Sequence, residues 1–167
     1  MSYKHFNLVI NKEVELGFDD ATERGIFLQC AYWADNRSIV RMSQSEISQE
    51  TLYSLATIKR IFNRLEKKGY FARLGHGRYK IVGENETPNE IIEKNKLRRW
   101  INQKDNEALK SGSINLIEEE LERQPPMLNE AIKKGWLKES ERNGYIFGQD
   151  ENGESIIHHV ITYSIKF

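Results

Sequence analysis

The stretch Ser43-Gln-Ser-Glu-Ile-Ser-Gln-Glu-Thr-Leu-Tyr-Ser-Leu-Ala-Thr-Ile-Lys-Arg-Ile-Phe-Asn-Arg-Leu-Glu-Lys-Lys-Gly-Tyr-Phe71 decides the fold. Ser43-Gln-Ser-Glu46 has capping-box form, a hydroxyl at the N-cap and a Glu three residues on. It opens a short helix anchored by Ile47. Thr51-Leu52-Tyr53 interrupts the pattern, and Ser54 caps a second helix running to about Lys68. On this helix Ile58, Ile61, Phe62 and Leu65 recur at offsets of three and four, which makes one apolar face. Lys59, Arg60, Asn63, Arg64 and Lys67 lie on the other faces. Gly69 is the stop signal, because a left-handed residue at a helix end is cheap only for Gly.

Upstream, Phe6, Leu8 and Ile10 alternate with Asn7, Val9 and Asn11, as in a short strand or extended arm. Asp20-Ala-Thr-Glu23 has capping-box spacing. Ile26, Phe27, Cys30, Ala31, Trp33 and Ala34 then form a wide helical stripe that Asp35-Asn-Arg-Ser38 ends, and Ile39-Val-Arg-Met42 is a short β-prone run. Downstream, Tyr70–Leu74 and Arg78–Val82 flank Gly75-His-Gly77, which reads as a β-hairpin. Trp33, Phe27 and Phe62 belong to the core, and Cys30, on the apolar face, is a core residue rather than a nucleophile.

The full chain has 167 residues with 25 Lys plus Arg and 25 Asp plus Glu, so its formal charge is zero. A polar stretch, Gly83-Glu-Asn-Glu-Thr-Pro88, divides it into expected domains 1–83 and 84–167. The first carries 13 − 9 = +4 and the second 12 − 16 = −4. Residues 36–83 alone hold ten bases and three acids, 10 − 3 = +7. No apolar run approaches the roughly 18–20 residues of a membrane span, and the N-terminus lacks a secretory signal pattern. One cysteine excludes an internal disulfide. A cytoplasmic location is the expectation.

The Ser43–Phe71 stretch resembles the helix-turn-helix and following wing of bacterial winged-helix DNA-binding domains. The carrying residues are Ser54-x-x-Thr57-Ile58-x-Arg60-x-x-x-x-Leu65-Glu66-x-x-Gly69-Tyr70. In transcription regulators of the MarR and GntR type, and in phage or plasmid replication proteins, this stretch is the recognition helix and first wing strand. The resemblance covers about residues 18–83. It implies an α+β fold, a winged helix-turn-helix of three helices plus a hairpin, with double-stranded DNA as partner. One position departs from the pattern: the turn that usually carries Gly reads Thr51-Leu52-Tyr53. On this reading Ser54, Leu55, Ala56 and Thr57 lead into the major groove. Ser54 and Thr57 hold phosphate, and Leu55 or Ala56 meets a thymine methyl. Lys59, Arg60, Asn63 and Arg64 follow, Arg60 suited to guanine and Asn63 to adenine. Arg73 and Arg78 flank the wing tip at His76.

In the second half, Thr87-Pro-Asn-Glu90 begins a helix to about Leu109, and Ile114–Arg123 reads as a short acidic helix. Pro125-Pro126 starts another helix, stopped at Gly135. Trp136-Leu137, Tyr145–Phe147 and Ile156–Phe167 read as strands around the turn Asp150–Gly153. Lys67-Lys-Gly-Tyr70 and Lys133-Lys-Gly-Trp136 occupy matching places. Two readings stand for this half: a degenerate second winged helix, or an α+β extension of separate origin. Glu118, Glu119, Glu120 and Glu122 oppose phosphate, so this half is expected to form a homodimer, pack on the first half or hold a protein partner.

No enzyme constellation is present. His158 and His159 are neighbours in a strand and point to opposite faces, so they cannot share a metal. Gly75-His-Gly77 lacks the Lys-Ser/Thr of a phosphate loop. No cofactor or metal is expected. The functional expectation is a transcriptional regulator. Alternatives are a plasmid or phage replication or conjugation accessory protein, and a winged-helix protein-interaction module.

Overall fold

The computed structural model describes residues 7, 9, 11, 12, 17–141 and 143–167. Two compact units divide at Ile92/Glu93. The division falls inside a helix that begins at the last residue of the polar stretch 83–88.

In the first unit, helix α1 (Ala21–Trp33) is followed by β1 (Ile39–Val40), α2 (Gln44–Thr51), α3 (Leu55–Lys67), β2 (Phe71–Gly75) and β3 (Arg78–Ile81). The antiparallel sheet runs β1-β3-β2. Each helix start is an N-cap. Asp20 accepts from the Glu23 amide at 2.8 Å. Ser43 and Glu46 form a complete reciprocal box, and Ser54 accepts from the Thr57 amide at 3.1 Å. The strand or extended arm expected over Phe6–Asn11 falls partly outside the described residues. Asn7 and Val9, which are described, are helical, and Val9 is buried in the core. A single β-branched alternation does not outweigh the gain from placing Val9 in that core.

The core of this unit is a chain of stacked and edge-on rings. Phe27 lies 5.5 Å from Phe71, Phe71 5.1 Å from Phe62, and Phe62 4.7 Å from Tyr79. Ile47, Ile58, Ile61 and Leu65 fill the space between helices and sheet. Cys30 is fully buried, and burial pushes its thiol pKa up to about 12, so it stays protonated and inert.

The second unit continues the helix that crosses the division, α4 (Pro88–Lys104). It adds α5 (Ala108–Ser111), β4 (Ser113–Ile117), a 3-10 helix (Glu118–Arg123), α6 (Pro126–Lys133), β5 (Leu137–Glu139), β6 (Gly144–Gln149) and β7 (Ser155–Ile165). Two expectations change. The helix from Pro88 stops at Lys104 rather than near Leu109, because the Asp105 carboxylate accepts from the Glu107 and Ala108 amides and starts a new turn. Ile114–Arg123 is not one acidic helix. Ser113–Ile117 is a strand paired with Val160–Ser164, and only Glu118–Arg123 is helical. Ile114 and Leu116 are buried while Asn115 is exposed, a period of two that the following glutamates hide from a sequence reading. The sheet runs β4-β7-β5, with β6 pairing β7 beyond β5. In both units, therefore, the last strand lies between the first and the second. No helix among the described residues is long and apolar enough to cross a membrane.

The turn between α2 and α3 is solved without glycine. Leu52 adopts φ 60°, ψ 11°, a left-handed C-cap, with its side chain 92% exposed. Ser48 Oγ donates to the Tyr53 carbonyl and Thr51 Oγ1 to the Ile47 carbonyl, both at 2.6 Å, and these bonds hold the turn closed. A left-handed L-residue costs about 1–2 kcal/mol, partly offset by the greater chain entropy a glycine would lose. Leu52→Gly is expected to raise stability by about 0.5–1 kcal/mol, whereas Leu52→Ala keeps the strain. Urea unfolding of the two variants side by side checks this, and equal midpoints would contradict it.

Candidate nucleic-acid interface

Helix α3 is built so that one face is committed to the core and the opposite one is free. Ile58, Ile61, Phe62 and Leu65 are all fully buried. Lys59, Arg60 and Asn63 are exposed on the outer side and pair with no other described residue. At about 1.5 Å per residue its 13 residues span roughly 20 Å, long enough to lie in a major groove about 12 Å wide. Ser54 and Thr57 start the helix as a bonded pair: their hydroxyls lie 2.9 Å apart and Ser54 also takes the Thr57 amide. Leu55 and Ala56 beside them are exposed.

Arg64, on the same helix, does not join this free face. Its guanidinium meets Asp20 at 2.9 Å and both Asp19 and Glu23 at 3.2 Å. Lys68 meets Asp19 and Glu23, each at 2.6 Å. The Glu23 side chain is completely buried. Its spacing suggested a capping box, but only half forms: Asp20 caps the helix and the Glu23 carboxylate turns to the two cations. Arg64 Nε and Glu23 Oε2 face each other as an ion pair outside hydrogen-bond geometry. Sequence reading missed this cluster because its partners lie about 45 residues apart; three carboxylates within Asp19–Glu23 were the one local sign.

The cluster shifts its members' protonation. Lys68 holds the Asp19 pKa down, and the Glu23 amide, followed by Arg64, does the same for Asp20. The Arg64 pKa rises, chiefly through Asp20. Partial burial pulls Lys68 down, but Asp19 and Glu23 more than offset it, so its pKa rises as well.

The wing is short. His76 and Gly77 carry positive φ at the tip, and a Cβ on Gly77 would meet the Ser43 backbone at 3.1–3.2 Å, so the tip lies against the start of α2. Arg78 pairs with no described residue. Arg73 is tied to Glu66 at 3.0 Å and lies over the Tyr79 ring. Arg41 is likewise held by Asp35, and Lys80 by Glu86. Of the ten bases in residues 36–83, five (Arg41, Arg64, Lys68, Arg73 and Lys80) are thus engaged within the protein. The side chains of the other 10 − 5 = 5, Arg37, Lys59, Arg60, Lys67 and Arg78, pair with no described residue.

Residues 40–71 match a family model described as winged helix-turn-helix DNA-binding. This part of the chain is a winged helix-turn-helix. The match begins at β1 and ends at the first residue of β2, so it takes in both helices of the motif and the turn at Leu52. No curated protein and no solved structure matches the chain. Among the described residues no group of three or more His, Cys, Asp or Glu is placed to hold a metal. His158 and His159 sit beside Glu119 and Glu118 respectively, as separate pairs.

Removing one partner of a buried ion pair leaves the other uncompensated, at about 3–5 kcal/mol. Arg64 keeps Asp19 and Asp20, Lys68 keeps Asp19, and both retain some solvent contact, so Glu23→Ala is expected to cost less than that range, about 1–2 kcal/mol. Asp19 and Asp20 bind fewer protons folded than unfolded. Their contribution is therefore complete above the ordinary carboxylate value of 3.8 and is lost as pH falls through their lowered values. Unfolding measured from pH 5 down to pH 2 should show stability falling with acid. A chain carrying Asp19→Asn with Asp20→Asn should show a flatter profile over the same window, and an unchanged slope would refute the assignment.

Proposed function

We propose that this protein is a transcriptional regulator of the cytoplasm that reads double-stranded DNA with α3 and touches the backbone with the β2–β3 wing. The observation that carries the proposal is the free outer face of α3, Lys59, Arg60 and Asn63, within the segment that matches the DNA-binding family. Arg60 reads a guanine edge and Asn63 an adenine edge in the major groove. Ser54, Thr57, Lys59 and Arg78 hold phosphates and set the register. Arg64 and Arg73 act as positioning residues: the first fixes α3 against α1, the second braces the wing against the end of α3. Chemistry on a bound small molecule has no part in this reading.

For residues 93–167 we propose a degenerate winged helix. From α5 on, the order is helix, strand, 3-10 helix, helix and closing strands, which follows the first unit apart from the preceding α4 and one added strand; with the last strand central in each sheet, this supports a shared plan. Its α6 presents Lys133 and Lys134 only at the C-terminal end, and Lys134 is held by Glu93 at 2.6 Å. Glutamates 118–120 and 122 make this unit unsuited to phosphate, so its role is contact with protein.

The free cations set the scale of the test. With up to five phosphates neutralised, log K for duplex binding should fall against log salt with a slope of about −4 to −5. Arg60→Ala should cost about 1–3 kcal/mol on a preferred site and little on random duplex. Lys59→Ala should weaken both alike and lower the slope by about one. Fluorescence anisotropy with fragments selected from the source genome measures all three. Absence of binding at low salt would overturn the proposal, and a slope near −7 would mean that bases tied up in the fold also reach DNA.

A further inference from the structure

The hairpin β6–β7 differs from the rest of the second unit. Gly144–Gln149 pairs with Ser155–Val160 and with no other described strand. Its register places Tyr145 beside His159 and Phe147 beside Ile157 on one face, and Ile146 beside His158 on the other. Phe147 is 81% exposed, Tyr145 68% and Ile157 57%. A two-stranded ribbon with apolar residues on both faces is at best marginal in water by itself. Natural edge strands are usually guarded by Lys, Pro or inward charges. Gly144-Tyr-Ile-Phe-Gly-Gln149 has none of these. The other edge of the ribbon, β7, is fenced by Glu118 and Glu119, which sit against His159 and His158.

We propose that β6 is a self-association edge, where a second copy of this chain adds its own β6 antiparallel across a two-fold axis. This rests on the reading that the second unit holds protein, and it names the partner. Charge selects the orientation. The hairpin tip, Asp150–Glu154, holds three acids and no base, and residues 138–143 at its foot hold two of each. An antiparallel mate lays each acidic tip beside a neutral foot, whereas a parallel mate would lay tip on tip. Packing selects the register. With Ile146 opposite its own copy, Tyr145 falls opposite Phe147 on both sides of the axis, giving two aromatic cross-strand pairs. Gly144 and Gly148 then oppose each other and leave room for the two isoleucines. Because each ribbon has one unguarded edge, the assembly closes at two copies. At about 150–250 Å² per fully buried aromatic ring, Tyr145 and Phe147 from both copies hide at most roughly 600–1,000 Å², less the part of each ring already covered. That is below the roughly 1,200–2,000 Å² of tight complexes, so the dimer is a micromolar, concentration-dependent one.

Sedimentation equilibrium of the full chain, without DNA and across about 1–300 μM, tests this. The weight-average mass should rise from 19.6 kDa toward twice that value. The double variant Tyr145→Lys with Phe147→Lys should stay monomeric throughout. Both side chains are mostly exposed, so its melting curve should match that of the natural chain at about 1 μM, where the natural chain is monomeric. Ile146→Cys should give a disulfide-linked dimer under mild oxidation, because the two copies of position 146 face each other, while buried Cys30 stays out of reaction. A natural chain that remains monomeric, a mass that climbs past two copies, or a lysine variant that dimerises unchanged would each overturn the proposal. Duplex binding by α3, measured on the same samples, fails or survives separately.

Discussion

The interaction on which the reading head depends is a buried carboxylate. Glu23 has no solvent contact and sits between Arg64 and Lys68, which come from the far end of α3. An ion pair of this kind adds little to net stability, because desolvation cancels most of the Coulomb gain. Its strength lies in what it forbids. Any rotation or slide of α3 against α1 leaves a charge buried without a partner, which costs far more than loss of an equal apolar contact. Oily packing of Ile58, Ile61, Phe62 and Leu65 holds the helix down, and the Glu23 cluster fixes how it lies. On the proposed reading, in which α3 meets base edges, that second kind of constraint matters, since a shift of about one ångström would move a guanidinium off its acceptors.

Much of this was legible in the sequence, for local reasons. Ser43, Ser54 and Asp20 announced helix starts because a cap bond closes within three residues. Ile58, Ile61, Phe62 and Leu65 announced their face because the helical period is local too. Gly69 and the Gly75-His-Gly77 tip announced turns through backbone conformations that few residues accept. Features settled across the chain were not legible. Arg64 reads as one more base on a basic helix until α1 brings three carboxylates to it. Ser113–Ile117 reads as the front of an acidic helix until β7 supplies a strand to pair with. Leu52 breaks the expected glycine rule because hydrogen bonds from Ser48 and Thr51 stabilise a conformation that its own side chain disfavours.

Charge counting shows the same limit. A total of zero hides +7 over residues 36–83, and that +7 in turn hides the distinction between cations that face solvent and cations already neutralised. Half of the bases in the segment are engaged internally. What a phosphate backbone meets is set by the free remainder, so the field relevant to DNA is smaller and more localised than composition implies.

The two hairpins carry this separation furthest. Both pair a strand with the central, last strand of a sheet, so the framework allows either to serve as a wing. The first is four or five residues a side with Arg73 and Arg78 beside its tip, and a polyanion is attracted to it. The second is longer, ends in Asp150, Glu151 and Glu154, and displays Tyr145, Phe147 and Ile157 along its length. Bringing three carboxylates to a phosphate backbone would oppose binding, and exposed rings gain nothing there unless they can stack on bases. The same rings gain most against another apolar surface that leaves the acidic tip in water. Two hairpins, each closed by the central strand of its own sheet, thus present opposite chemistries through their side chains.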